Sequence, residues 1–305
     1  MPIRLSKKNP AFEILRAKKI FLIDKKRADE QEIRPLRIGI LNLMPTKRET
    51  EAQIFRMIGS SPLQIEPILI RTKSYEPKNI SASHLENFYV FFDDAKKDGL
   101  DGLIVTGAPV EKLEFSAVKY WRELTEIFDF AAKKICSTLF LCWAAQAAAF
   151  YFYGIKKFLC EKKIFGVFSH THTGKCDFLL RGLDDNFFVP HSRATEMRKK
   201  DLQKISALEI LSESRGAGIH LFANKNRSQV FVTGHPEYDR DTLAREFFRD
   251  REKNLPIKIP QNYFPKNDPQ KIPKLNWRAN SETFYRNWIN FVYQHTNFDP
   301  RKFRM

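Results

Sequence analysis

No apolar run in this 305-residue chain approaches the roughly 20 residues that a membrane-spanning helix needs. The opening stretch, Met1-Pro-Ile-Arg-Leu-Ser-Lys-Lys8, lacks the apolar centre of a secretory signal. The expectation is therefore a cytoplasmic protein with no membrane partner. Cysteine is scarce. The four residues, Cys136, Cys142, Cys160 and Cys176, contain no Cys-x-x-Cys pair and match no zinc module. Without a secretory signal no disulfide framework is expected. Internal repeats and low-complexity tracts are also missing, and the apolar fraction of 43% is ordinary for a globular protein. Charge of one sign is in excess: 52 Lys and Arg against 36 Asp and Glu, a formal +16. The basic residues are scattered among acids, and no aromatic-basic platform or recognition motif stands out, so nucleic acid is not expected as a partner. A basic surface still suits a polyanionic small substrate such as a nucleotide-bearing coenzyme.

What the chain does have is alternation. Arg37–Met44, Leu63–Ile70, Gly102–Gly107 and Ser137–Leu141 are mostly apolar runs, the pattern of buried parallel strands, although Pro67 disturbs the second. Helical patterns lie between them. Thr46-Lys-Arg-Glu49 has capping-box spacing, with Thr46 as N-cap and Glu49 reaching back, ahead of Ala52, Phe55 and Ile58. Residues 81–92 suggest a helix broken by Asp93-Asp94. Residues 116–134 carry Val118, Trp121, Leu124 and Ile127 on one face. This order predicts an α/β fold, a parallel sheet with helices on both faces, whose sites gather at the carboxyl ends of strands. Asn42–Lys47, Gly107–Glu111 and Cys142 fall there. Beyond residue 160, shorter strand-like pieces (Ile164–Ser169, Ala217–Ala223, Gln229–Thr233) alternate with turns. A helix opens at Asp241 or Thr242, residues 254–276 form an extended loop, and 281–295 form a last amphipathic helix. The expected organisation is an arm over 1–33, an α/β body over 34–253, and a C-terminal loop and helix over 254–305 packed on that body.

Ser137-Thr-Leu-Phe-Leu-Cys142-Trp-Ala-Ala-Gln146 runs a strand into a cysteine and at once into a helix-forming segment. A thiol so placed faces the positive end of that helix, which favours the nucleophilic thiolate. Taken alone, a buried structural cysteine is the commoner outcome. His235 and Glu237 shift the balance. They stand two apart at the end of Gln229–Thr233, on one side of the chain. A carboxylate beside a histidine orients the ring and stabilises its imidazolium. Cys142, His235 and Glu237 together make a nucleophile, base and orienter. His170 and His172 have a spacing open to metal, but no carboxylate or cysteine completes a set, so no metal is expected. His191 lies in the candidate binding loop Pro190–Arg193. His84, His220 and His295 read as structural or surface residues.

Several motifs stand in order: Asn42-Leu-Met-Pro-Thr-Lys47, Thr106-Gly-Ala-Pro-Val-Glu111, Cys142-Trp143, Pro190-His-Ser192-Arg193 and Val232-Thr-Gly-His235-Pro-Glu-Tyr-Asp-Arg240-Asp241. Together they resemble the homoserine O-acyltransferase family of methionine biosynthesis. Asn262-Tyr-Phe-Pro265 and Asn276-Trp-Arg278 also fit, and the similarity spans residues 1–297. The resemblance implies a class I glutamine amidotransferase-like fold: a mostly parallel sheet flanked by helices, with an N-terminal arm and a C-terminal helical extension. It implies ping-pong acyl transfer, with Cys142 taking an acyl group from acyl-CoA, His235 as general base and Glu237 as its partner. Lys163, Ser192 and Arg249 match substrate-binding positions. L-Homoserine and acetyl-CoA are the implied small-molecule partners, acetyl-CoA being a co-substrate rather than a permanently bound cofactor. A homodimer is implied by the family alone.

Chemistry adds to this. Oxyanion donors are expected near Trp143 and the Asn42–Lys47 turn. The homoserine carboxylate needs a cation, which Arg249 can supply as a bidentate contact. Glu246, three residues earlier on the same helical face, suits the ammonium group or else a surface ion pair. The family holds acetyl and succinyl users. A glutamate after Gly107-Ala-Pro-Val resembles the former and a glycine the latter. A Glu111 carboxylate facing the acyl pocket would repel succinate's distal carboxylate, so acetyl-CoA is the expected donor and succinyl-CoA the alternative. A cysteine hydrolase or glutaminase on the same fold would leave Pro190–Arg193 and Arg249 without purpose, and a non-catalytic binding protein would have no use for Cys142, His235 and Glu237. Ala144 and Ala148, where the family tends to have glycine, read as helix-interior positions, where alanine is favoured by about 1 kcal/mol each.

Overall fold

The computed structural model describes residues 3–18, 20–29, 33–77, 79–174 and 177–296; Cys176 lies outside them. Its strands are β1 (Ile3–Arg4), β2 (Leu22–Ile23), β3 (Leu36–Leu41), β4 (Ile65–Arg71), β5 (Tyr89–Phe91), β6 (Gly102–Val105), β7 (Ser137–Leu141), β8 (Lys157–His172), β9 (Asn186–Met197), β10 (Leu208–Ser214), β11 (Gly218–Asn224) and β12 (Gln229–Val232). They form one sheet in the order β2-β1-β4-β3-β6-β7-β12-β11-β10-β8-β9, with β5 beside β4. The half from β2 to β12 is parallel, and β12-β11-β10-β8-β9 is antiparallel throughout. The sequence placed β3, β4, β6, β7 and β12; β1 and β2 fall in the expected arm and β5 in the expected 81–92 helix. The antiparallel half ends in a long hairpin, β8 with β9, whose alternating burial on β9 marks a sheet with one covered face.

Helices α1 (Ala11–Ala17), α2 (Lys25–Asp29), α3 (Lys47–Ile58), α4 (Ala82–Phe88), α5 (Phe92–Lys97), α6 (Trp121–Lys134), α7 (Trp143–Tyr153), α8 (Lys199–Gln203), α9 (Thr242–Glu252) and α10 (Arg278–His295) complete the chain. None of them is long and apolar enough to cross a membrane. The central strands β6, β7 and β12 are buried at every residue, and successive side chains serve opposite faces. Ile104, Leu139, Leu141, Val230 and Val232 pack with α3 and α10. Leu103, Val105, Phe140 and Phe231 pack with α6 and α7. A third cluster joins Phe247 of α9, Phe165 of β8 and Tyr263, Phe264 and Trp277 of the C-terminal loop.

Two local expectations are corrected. Thr46 is the N-cap of α3, but its side chain makes no capping bond, and Glu49 instead bonds Gln53 and Arg245. A long-range arginine outcompetes the local box. Asp93-Asp94 does not break the chain into a loop; both lie in the first turn of α5, where acidic side chains complement the helix dipole.

Candidate active site

The register of β7 on β12, Leu141 opposite Val232, sets the chemistry. It puts Cys142 and the Thr233–His235 segment side by side, tied by Cys142 N–H to Val232 O at 2.7 Å. Cys142 has φ 50° and ψ −114°, a left-handed backbone that costs a non-glycine residue energy. The turn ends β7 and starts α7 in consecutive residues, so Cys142 caps a helix of buried alanines. Ala144 and Ala148 lie inside that helix, and the positive φ belongs to the cysteine alone among them. Gly107, in the loop after β6, closes the other flank. A Cβ on it would lie 3.2 Å from Cys142 Cβ and 3.6 Å from Trp143 N, so a side chain there would press on the nucleophile.

His235 is buried, stacked on Tyr238 with ring centroids 4.1 Å apart, and its Nδ1 donates to Glu237 Oε1 at 2.8 Å. That bond fixes the tautomer and leaves Nε2 for the thiol, whose charge acts on the ring. Burial alone would lower the imidazolium's pKa, but the charges of Cys142 and Glu237 outweigh it and hold His235 well above its ordinary value. The structure thus brings Cys142, His235 and Glu237 into one line.

A second cluster lies on the β12 side of the nucleophile. Glu246 Oε1 of α9 accepts from Ser192 Oγ of β9 at 2.7 Å and from Lys163 Nζ of β8 at 2.5 Å. Phe165, paired with Ser192 across the hairpin, carries the Lys163 ammonium over its ring. Arg249 stands apart from this cluster. It is exposed and binds its neighbour Asp250, Nε to Oδ1 at 2.7 Å. The Pro190–Arg193 segment divides by strand alternation: Ser192 faces the cluster, whereas Arg193 is buried and donates to the carbonyls of Thr195 and Ala217. Glu111 Oε2 accepts from Ala194 N–H at 2.9 Å, so the β6 loop is pinned to β9 beside Ser192.

Two N–H groups of the Asn42–Lys47 turn are taken up elsewhere. Leu43 N–H is spent on Thr106 Oγ1 at 2.8 Å and Met44 N–H on Asn42 Oδ1 at 3.2 Å. Trp143 N–H, which opens α7 and has no intrahelical partner, remains beside the nucleophile with Gly107 against it.

A family model described as homoserine O-succinyltransferase matches residues 2–298. The chain belongs to this family. It is 52% identical over 300 residues to a homoserine O-acetyltransferase of Clostridium botulinum (strain Alaska E43 / Type E3), covering 98% of each chain. It is 49% identical over 300 residues to the homoserine O-acetyltransferase of Petrotoga mobilis, covering 98% of this chain and 97% of that one. Among solved structures, it is similar to a glutamine amidotransferase from Thermotoga maritima with a TM-score of 0.56 at 12% identity, covering 85% of this chain and 99% of that one. A glutamine amidotransferase from Methylobacillus flagellatus gives a TM-score of 0.53 at 11% identity, covering 85% of this chain and 96% of that one. These likenesses bear out the expected amidotransferase-like fold.

In this family member, several residues that the sequence did not single out hold the site. Arg56 of α3 is 2% exposed, donates from Nη2 to Glu237 O at 2.5 Å and pairs with Asp239 at 3.1 Å, gripping the loop that carries His235. Lys157 donates to the carbonyls of Glu111 and Leu113 and sets the β6 loop. An arginine beside Phe55 in an apolar helical stretch was the one local hint; Lys157 left none.

His170 does not act with His172. It meets His191 and His220, and ring nitrogens of these three buried residues lie within 4.8 Å of one another. His170 Nδ1 donates to Phe168 O at 2.9 Å, so its Nε2 accepts from His191 Nε2 at 3.1 Å. Burial holds His170 down at about 4 and His191 and His220 well below their usual range, and the buried Arg193 charge adds to the effect on all three. Burial keeps the three rings neutral, and the Arg193 charge beside them disfavours a further cation. The neutral rings form the bed under the catalytic strand end. A Cβ on Gly234 would come within 2.6 Å of Val189 Cγ1 and 2.9 Å of His191 Nε2. The unfolded chain therefore binds protons below pH 6.5 that the folded chain refuses, and stability falls as pH drops from 6.5 towards 4. The urea midpoint should decrease between pH 6.5 and 5, His170 alone contributing about 2 kcal/mol.

Proposed function

We propose that this protein transfers an acetyl group from acetyl-CoA to the hydroxyl of L-homoserine, through a thioester on Cys142, in methionine biosynthesis. The observation that carries the reading is the line from the strained Cys142 turn through His235 to Glu237. In the first half-reaction the thiol proton rests on His235 Nε2, and the Cys142 thiolate attacks the thioester carbonyl. The tetrahedral oxyanion faces Trp143 N–H and the Gly107 loop. Collapse expels the CoA sulfur, which leaves with the proton, and Cys142 keeps the acetyl group. In the second, His235 takes the proton of the homoserine hydroxyl, whose oxygen attacks the same carbonyl. The Cys142 sulfur is the leaving group, the proton returns to it, and O-acetylhomoserine departs. Lys163 supplies a cation for the homoserine carboxylate and Glu246 with Ser192 receives its ammonium group; Arg249 joins them only by leaving its partner Asp250. Lys163 Nζ already occupies Glu246 as a primary ammonium, so the carboxylate has the geometry to hold such a group.

Enzyme mixed with acetyl-CoA alone should give a burst of free CoA equal to the active sites and leave acetyl on Cys142; homoserine should then release O-acetylhomoserine. Steady CoA release without homoserine would instead mark a hydrolase. The acetyl preference rests on Glu111. Its carboxylate, held by Ala194 N–H on the loop that flanks the nucleophile, would repel the distal carboxylate of a succinyl chain. Glu111→Gly should raise the ratio of succinyl-CoA to acetyl-CoA kcat/KM by about tenfold or more. An unchanged ratio removes Glu111 as the selector.

A further inference from the structure

A cavity of about 470 Å³ lies beside the segment that follows β6, and none of Lys163, Ser192 and Glu246 lines it. Its walls come from the segments that follow β3, β4 and β6, the three strands leading away from β7 in the sheet. Pro109 and Val110, at the Gly107 end, bring it to the nucleophile's flank. Tyr120 in its wall packs against Trp143, the residue after Cys142, with ring centroids 6.3 Å apart.

The lining has two characters. Leu43, Pro45, Val110, Leu113, Ala117 and Val118 make an apolar barrel. Lys47, Arg71 and Lys119 are its ionisable cations, and no Asp or Glu lines it among the described residues. Lys47 is committed: its ammonium donates to Asn42 O. Arg71 is not. Its guanidinium lies over the Phe91 ring, 4.5 Å from the centroid, and its buried Nε has no hydrogen-bond partner. Lys119 is exposed at the rim. An unpaired, half-buried arginine in a wall free of carboxylates points to an anionic ligand. The volume is that of a small-molecule site, and its apolar length suits a long, uncharged arm with a charged end.

We infer that this cavity takes the pantetheine arm of the acyl-CoA donor, with Arg71 and Lys119 holding the phosphates that follow the arm. The inference rests on the acyl-CoA reading above and adds a direction to it: donor enters from the β6 side, acceptor from the β12 side, and Cys142 stands between them. The donor's exit thus leaves the acceptor cluster undisturbed.

The test compares two donors, acetyl-CoA and acetyl-pantetheine, which shares the arm but lacks the nucleotide phosphates. In the double variant Arg71→Gln, Lys119→Gln, the KM for acetyl-CoA should rise roughly tenfold or more, the scale of losing one or more charge-assisted hydrogen bonds. The KM values for acetyl-pantetheine and homoserine should not move. Ala117→Trp, which narrows the barrel, should raise the KM for both donors. An unchanged acetyl-CoA KM in the double variant, equal effects on the two donors, or an Ala117→Trp variant indifferent to both would each overturn the assignment. Mass spectrometry of the unaltered enzyme separates this from the parent reading. If Cys142 becomes acetylated while the variants behave as wild type, only the cavity assignment fails; if Cys142 is never acetylated, the thioester mechanism fails first.

Discussion

Cys142→Ser is expected to lower turnover by about 10⁴-fold or more and to abolish the burst of CoA, with the fold intact. The substitution exchanges one atom at a buried turn and keeps the size of the side chain, so the left-handed backbone is no worse served. What changes is the nucleophile. A hydroxyl holds its proton far more tightly than a thiol, and His235 must remove it before attack. The product would also be an oxygen ester, a poorer acyl donor to the homoserine hydroxyl than a thioester. Single-turnover release of CoA is the direct measurement, and near-normal release from the serine variant would rule out Cys142 as the nucleophile. Alkylation gives an independent check. Burial pushes Cys136 and Cys160 up to about 11, so both stay protonated and slow at neutral pH. Iodoacetamide should therefore inactivate by modifying Cys142 in preference to Cys136 and Cys160, and prior incubation with acetyl-CoA should protect it.

The reach of sequence reasoning follows the physics of each feature. β6, β7 and β12 were legible because strands buried on both faces must be apolar at every position. The sixteen-residue β8 was seen only at its inner end, since Glu161, Lys162 and Lys163 interrupt it where it runs exposed. β5 and α5 share the short run Tyr89–Lys97, too brief for either period to declare itself. In the site, the Cys142 turn and the His235–Glu237 pair are local patterns, and the family motifs named Lys163, Ser192 and Arg249. Glu246 came from helical spacing to Arg249, yet in the structure it serves Lys163 and Ser192, which approach from another hairpin. Arg56 grips a carbonyl 181 positions away in sequence, and Lys157 one 46 away. No window of sequence contains both partners of such a bond. The same holds for the donor cavity, whose Arg71 matters only because three separate loops leave it without a carboxylate.

Glu237→Gln should slow the transfer from acetyl-enzyme to homoserine by about 10²–10⁴-fold and move its pH dependence. In the acetyl-enzyme the thiolate charge is gone, so of the two charges that raise His235 only Glu237 remains. His235 must be neutral to accept the hydroxyl proton, and the rate should therefore climb as pH rises through the imidazolium pKa. Ionised Glu237 stabilises the imidazolium and sets that climb at higher pH. A neutral glutamine withdraws the charge, so the climb should shift to lower pH while the plateau falls, because the developing imidazolium has lost its partner. Glutamine can still accept from Nδ1–H, which keeps the ring in place and separates the charge effect from misorientation. His235→Asn should remove the climb altogether. The measurement is the single-turnover rate of preformed acetyl-enzyme with saturating homoserine across pH. A Glu237→Gln profile that keeps its wild-type position would mean that the carboxylate acts only as a spacer, and that the buried charge at the centre of this site has some other counterpart.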